Sequence, residues 1–255
     1  MRRIIKYVMF DILRNRFVIG YCLFIMLITF GLLSLEEGSS KSTISLLNIV
    51  LLVVPLISIV FATIHFYNSY EFMELLLSQP VRRSTIIYSE YFGVSCSLSL
   101  AFAIGMGVPL IFLNQGLVSL YLLFAGIILT FVFVSIALLG AVNSKDKARG
   151  IGTSLLLWFF FTAIYDGLVL LILFSFSDYP IEKYLLAFIS LNPIDLARVA
   201  ILLQMDTAVL MGYTGAVFSE FFNSWEGLLF SSGLLLLWAI LPMLLTVRIF
   251  KRKDL

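Results

Sequence analysis

Charge is what this sequence has least of. Only 13% of its 255 residues are Asp, Glu, Lys or Arg, while 61% are hydrophobic. A soluble chain of this length covers most of its exterior with polar and charged side chains, and too few are present here. The chain is therefore read as an integral membrane protein, with lipid as the solvent over much of its surface. Histidine occurs once, as His65, and cysteine twice, as Cys22 and Cys96, with no C-x-x-C pair. A disulfide framework and a Cys/His zinc site are excluded. His65, near the end of an apolar run, is read as an interfacial or packing residue in preference to a metal or proton carrier. No G-x-x-x-x-G-K-[ST] occurs, nor any Gly-Lys dipeptide, so no phosphate-binding loop is present. The strict alternation of barrel strands is also missing.

Long continuous apolar runs are what the sequence does contain. A helix needs about 20 residues to cross the hydrocarbon, and six stretches qualify: 17–35, 44–66, 91–113, 117–142, 151–176 and 228–250. The first is too long for a signal peptide and lacks a small-x-small site after it. Six spans put both ends on one side. Arg2, Arg3, Lys6, Arg14 and Arg16 precede the first span, Arg82 and Arg83 follow the second, and Lys145, Lys147 and Arg149 follow the fourth. Arg248, Lys251, Arg252 and Lys253 end the chain, leaving only Lys41, Lys183 and Arg198 for the other side. Basic residues mark the cytoplasmic side, so both termini are expected in the cytoplasm and the chain in a bacterial inner membrane. The net charge of +2 is this retention signal and gives no reason to expect nucleic acid.

Two segments outside the spans are patterned. In residues 1–16, MRRIIKYVMFDILRNR, the side chains of Ile5, Val8, Met9, Ile12 and Leu13 share a helical face that Arg3, Lys6, Arg14 and Asn15 largely avoid. Such a helix lies in the lipid interface, either as an anchor or as an elbow touching a cytoplasmic partner. Within the long connection 67–90, the stretch MELLLSQPVRR at 73–83 favours a short helix through Leu77. Pro80 ends it and Ser84 is placed to cap the next helix. Acids early and arginines late suit the helix dipole. The pattern alone fits a lever arm for a partner protein or a solvated loop.

MELLLSQPVRRSTIIYSEYFG resembles the coupling-helix segment of type-2 ABC transporter permeases, where a Glu-Leu-Leu-Leu-Ser-x-Pro run is followed by Val, Arg and a new span. DILRNRF at 11–17 resembles the end of that family's elbow helix, and the six-span layout matches over the whole chain. The resemblance implies an all-α membrane fold forming one domain over 1–255. Its parts would be an elbow helix at 1–16, a cytoplasmic coupling segment at 67–90 and an extracytoplasmic segment at 177–227. It implies that Glu71, Met73, Glu74, Leu77, Gln79, Pro80, Arg82 and Arg83 meet a separate cytoplasmic ABC ATPase. That subunit would carry ATP and Mg, and this chain would bind no cofactor. The Gly-Thr pair common before the Leu-Glu is replaced here by Glu71-Phe72.

The segment between the last two spans narrows the resemblance. In LNPIDLARVAILLQMD, Asn192 is placed to cap a helix that starts at Pro193, and Asp195 and Arg198, three apart, can pair. Its apolar density suggests that the helix dips into the outer leaflet. MGYTGAVF at 211–218 follows, with Gly212 and Gly215 suggesting a turn that makes a helical hairpin. The whole of LNPIDLARVAILLQMDTAVLMGYTGAVF is similar to the matching region of NosY-type permeases, the membrane subunits of NosDFY complexes that mature nitrous oxide reductase, a periplasmic copper enzyme. The similarity implies a homodimer bearing two ATPase subunits inside and a β-helical, NosD-type periplasmic protein outside. Asn192, Asp195, Arg198, Tyr213, Thr214 and Phe218 would contact that protein. An exporter of a drug, lipid or peptide is the alternative on the same fold.

Copper ligands are not expected in this chain itself. Met205 and Met211 are six residues apart, do not share a helical face well, and have no His or Cys nearby. Asp166 reads as the only acid deep in a span, expected to face the bundle or water, neutral or paired with a hydroxyl. It has no partner acid in another span, and Glu36-Glu37 is followed by no Arg at the right spacing and supported by no histidine, so an enzyme is not expected. The small-residue face SCSLSLAFAIGMG at 95–107 suits close helix approach, within the chain or across a dimer.

Overall fold

The computed structural model describes residues 2–35, 40–113, 116–175, 187–202, 204 and 225–252. Among these, all regular structure is helical, and six helices are long and apolar enough to cross a membrane. The first four spans are Arg16–Leu35, Ser40–Asn68, Arg83–Phe112 and Leu117–Asn143. The fifth is built from Lys147–Phe159, a π turn at Phe160–Ile164 and Tyr165–Ser175, and the sixth is Trp225–Arg252. The chain is a multi-pass membrane protein.

One boundary differs in a way that matters. The third span starts at Arg83 instead of near residue 91, because 84–90 wind into its first turns. Ser84 therefore lies inside the helix and does not cap it. Extended Arg82 holds the cap position without a side-chain bond to the helix end.

The fourth span is the centre of the bundle. Leu129, Val132, Phe133, Val134, Ala137 and Leu138 have no exposure, and the helix packs against the second, third and sixth spans. The fifth span is the outlier: 6% of its apolar stretch is buried, against 67% for the fourth. The small-residue face of the third span is used within the chain. A Cβ on Gly105 would sit 2.7 Å from the Cys22 carbonyl oxygen of the first span, and the Ser97 hydroxyl donates to the Met9 carbonyl at 3.3 Å. Small residues there let backbones approach closely, as helix association in lipid requires. The N-terminal helix Arg2–Leu13 lies along the third span with Val8 and Ile12 buried, so its apolar face is satisfied by protein.

Between the fifth and sixth spans the chain returns into the bundle. The Tyr165 hydroxyl, in the fifth span, donates to the Phe188 carbonyl at 2.6 Å, and the Trp238 indole, midway along the sixth, donates to the Ser190 carbonyl at 3.2 Å. From that depth the helix Pro193–Leu202 leads away, with Ile194, Leu196, Ala197 and Ile201 buried against the fourth and sixth spans. Irregular backbone at this depth is tolerated because protein groups satisfy it.

Candidate functional site: a coupling face and a buried charge cluster

A short helix, Tyr70–Leu77, bridges the second and third spans on the face that carries most basic residues. Its phase is fixed by Met73, 2% exposed and packed into the core. Met73, expected among the ATPase contacts, thus anchors the helix instead. Phe72, at the position where the sequence departs from the common pattern, stacks on Tyr7 of the N-terminal helix with ring centroids 5.4 Å apart. The face left open contains Glu71, Glu74 and Leu75, and Leu75 is 66% exposed. These positions follow the i, i+3, i+4 rule for one helical face. Leu77 is half-buried, whereas Gln79, Pro80 and Arg82 are exposed. Arg83 turns toward the end of the sixth span, donating to the Lys251 carbonyl at 3.4 Å. Burial, and then the nearby Glu74 carboxylate, push the Tyr70 hydroxyl above its ordinary pKa.

Directly behind this helix, the two spans it joins are braced. His65 Nε2 of the second span lies 2.9 Å from Glu90 Oε1 of the third, and Glu90 is 3% exposed. The approach is oblique, leaving that oxygen without a well-directed donor among the described residues. The Ser69 hydroxyl is 3.3 Å from the same His65 nitrogen, and the His65 ring stacks on Phe61, which stacks on Phe17. Glu90 is thus a second acid within a spanning helix, near the end that adjoins the short helix. The reading of His65 as a packing residue missed its carboxylate partner.

A second, partly buried cluster lies between the fifth span and the returning helix. Asn192, fully buried, caps the Pro193 helix: its Oδ1 accepts from the Ile194 N–H at 3.0 Å. Its Nδ2 donates to Asp195 Oδ2 at 2.8 Å and to the Phe161 carbonyl at 2.8 Å. Phe161 lies in the π turn, whose wider winding opens the helical ladder to an outside donor. Arg198 Nη1 lies 3.1 Å from Asp195 Oδ1 and 2.9 Å from Asp166 Oδ2 of the fifth span. Asp166 is thus paired with a guanidinium, in place of the hydroxyl expected for it. Two carboxylates near the positive end of a helix, bridged by one arginine, form a compact ionic joint between the fifth span and the returning helix.

The joint also corrects the contact residues expected on the outer side. Asn192 and Asp195 are buried in the chain's own packing and have no surface to offer a partner, and Arg198 is engaged by both acids. Tyr213, Thr214 and Phe218, expected to complete that contact, lie outside the described residues. The Asp195–Arg198 pairing expected from spacing is present. Among the described residues, no group of three or more His, Cys, Asp or Glu side chains has the arrangement of a metal site.

No protein-family model matches the chain. It is 30% identical over 213 residues to the probable ABC transporter permease protein NosY of Stutzerimonas stutzeri, covering 74% of this chain and 76% of that protein. It is 26% identical over 223 residues to the protein of the same name from Pseudomonas aeruginosa, covering 79% and 81%. With six apolar spans and a short helix joining the second to the third, the chain belongs to the NosY-like family of ABC transporter permeases.

Proposed function

We propose that this chain is the membrane subunit of an ABC complex that carries ATP-driven motion across a bacterial inner membrane to a periplasmic β-helical partner, in support of copper-site assembly in nitrous oxide reductase. The observation that carries the reading is the open Glu71–Glu74–Leu75 face, held rigidly over two braced spans on the basic side of the bundle. In this reading both termini are cytoplasmic, and a separate ATPase docks on that face, supplying ATP and Mg and doing all the catalysis. Two copies of the permease pair, and the largely unburied fifth span offers apolar surface for that contact. When the ATPase subunits close, they push on the short helix. The second and third spans then move as one body, and the ionic joint at Arg198 transmits tilt to the returning helix. The periplasmic contact is proposed on family membership and on the 211–218 sequence, since Asn192, Asp195 and Arg198 are engaged within the chain.

A second reading, an exporter of a drug, lipid or peptide, is favoured by one feature. An apolar cavity of about 470 Å³ lies between the fourth span, the returning helix and the sixth span, lined by residues including Phe124, Ile128, Ala197, Ile201 and Leu235.

The coupling face is tested by Leu75→Asp combined with Glu74→Lys. Both side chains are exposed, so the chain folds and inserts normally, while ATPase recovered with it falls about tenfold or more, as for loss of a central contact. Copper content of nitrous oxide reductase falls in parallel in cells dependent on the variant. Undiminished ATPase recovery and full copper loading would refute the docking role.

A further inference from the structure

We propose that the joint between the fifth span and the returning helix is a proton-binding site. Asp195 takes one proton from water and donates it to Asp166 in a hydrogen bond, and losing that proton loosens the returning helix. The inference concerns the joint alone and stands whether the chain serves maturation or export.

The charges in the joint do not balance. Arg198 Nη1 lies 2.9 Å from Asp166 Oδ2 and 3.1 Å from Asp195 Oδ1, so one nitrogen serves two carboxylates. The neighbours supply no second cation. Asn192 gives Asp195 Oδ2 a neutral amide donor at 2.8 Å, and the Tyr165 hydroxyl is committed to the Phe188 carbonyl. The second, fourth and sixth spans also pack on the returning helix. The second brings Lys41, exposed in its first turn, and His65, which pairs with Glu90 near its other end. The fourth has no charged residue, only Tyr121 on the wall of the apolar cavity. Among the described side chains, the sixth is charged only at Arg248, Lys251 and Arg252, at its basic end.

The geometry also leaves a place for the proton. Asp166 Oδ1 is enclosed and has no hydrogen-bond partner among the described residues. A carboxylate only accepts, so what this oxygen lacks is a donor, and a protonated Asp195 is one. With that proton in place, Asp166 and Arg198 are left as a balanced pair. Burial, and then the Asp166 carboxylate, push Asp195 up to about 7, against the opposing pull of Arg198 and Asn192. In the unfolded chain the same group titrates near 3.8. The proton's contribution to the joint is therefore fully present below the ordinary carboxylate range and is lost as pH rises through about 7. Asp166 and Arg198 keep 29% and 32% of their side-chain exposure, which gives the proton a way in. Asp166 stands about 28 Å along the fifth span from its basic start, so that entry is nearer the opposite face.

The test combines infrared difference spectra and hydrogen exchange on the full-length chain in lipid nanodiscs, with carbon-13-labelled aspartate to mark the carboxyl bands. The inference predicts a protonated aspartic acid that titrates with a midpoint near pH 7. Once that band is gone, amides of the returning helix exchange about tenfold faster than their intrinsic base dependence explains. Asp166→Asn leaves Arg198 to Asp195 alone and abolishes both the band and the exchange step. Absence of a protonated aspartic acid at acidic pH in the native chain overturns the site. A band that persists unchanged in Asp166→Asn belongs to another aspartate and overturns it equally. A titrating band with no exchange step overturns the claim that the proton holds the helix. The native chain gives the band and the step without the variant, so a poorly folding Asp166→Asn still leaves the inference open to refutation.

Discussion

Replacing Arg198 with methionine is expected to destabilise the folded chain by about 3 kcal/mol, near the lower end of what breaking a buried ion pair costs. Methionine keeps the length and the apolar stem. It removes the one positive group between Asp166 and Asp195, which then face each other at the start of the Pro193 helix. Asp195 is nearly buried, so water cannot repair the loss there, while partial exposure of Asp166 holds the cost below its upper range. Asp166→Asn, which keeps an acceptor for the guanidinium and leaves Arg198 with Asp195, should cost about 1 kcal/mol. Unfolding in detergent micelles, followed by helix signal against denaturant, measures both. Equal and small effects would mean that the cluster is solvated and mechanically idle. A large Arg198 effect also predicts weakened copper loading in cells with ATPase association retained, because the joint lies far from the coupling face.

His65→Leu is expected to cost more than the double change His65→Leu/Glu90→Leu. The single variant replaces the one ionisable group that the described residues place within 4 Å of the Glu90 carboxylate, 3% exposed, by a hydrocarbon side chain, a loss of about 1–2 kcal/mol. Removing both polar groups replaces the pair with apolar packing between the second and third spans, and buried pairs exchanged in this way are often neutral in stability. The double variant should therefore recover most of the loss, giving a coupling energy of about 1 kcal/mol or more in the cycle. Function separates the pair's roles further. If the brace makes the two spans move together, the stable double variant still binds ATPase but supports less maturation per ATP hydrolysed. Additive stability effects in the cycle would show that His65 and Glu90 do not interact.

The six spans and the basic face were legible because hydropathy and charge are local properties, summed over a window without knowledge of neighbours. The Asn192–Pro193–Asp195 start was legible for the same reason, since helix capping is decided within one turn. The Asp166–Arg198 pair was not. Its members are 32 positions apart on different elements, and neither carries a local mark of the other. Glu90 was assigned to a loop because the apolar run begins after it. The helix starts earlier, and what makes an acid tolerable there is a histidine from the previous span. In MELLL one acid, Glu74, stands among four apolar residues that could each point inward, so the run predicts a helix without fixing which of them is buried. Only packing reveals that Met73 points inward and Leu75 outward. Asn192, Asp195 and Arg198 were misjudged as outer contacts because a capping residue and its acid were read as surface groups, while the chain folds the start of that helix back into the bundle.

The measurement that tests the account most directly is mild solubilisation of native membranes, capture of the full-length chain by an affinity tag, and mass spectrometry of what accompanies it. The account predicts a stoichiometric ABC ATPase together with a periplasmic β-helical protein, the ATPase being lost when Glu74 and Leu75 are replaced and the periplasmic protein retained. Recovery of the ATPase alone would contradict the maturation role and favour an exporter. Recovery of neither would contradict the coupling account at its base.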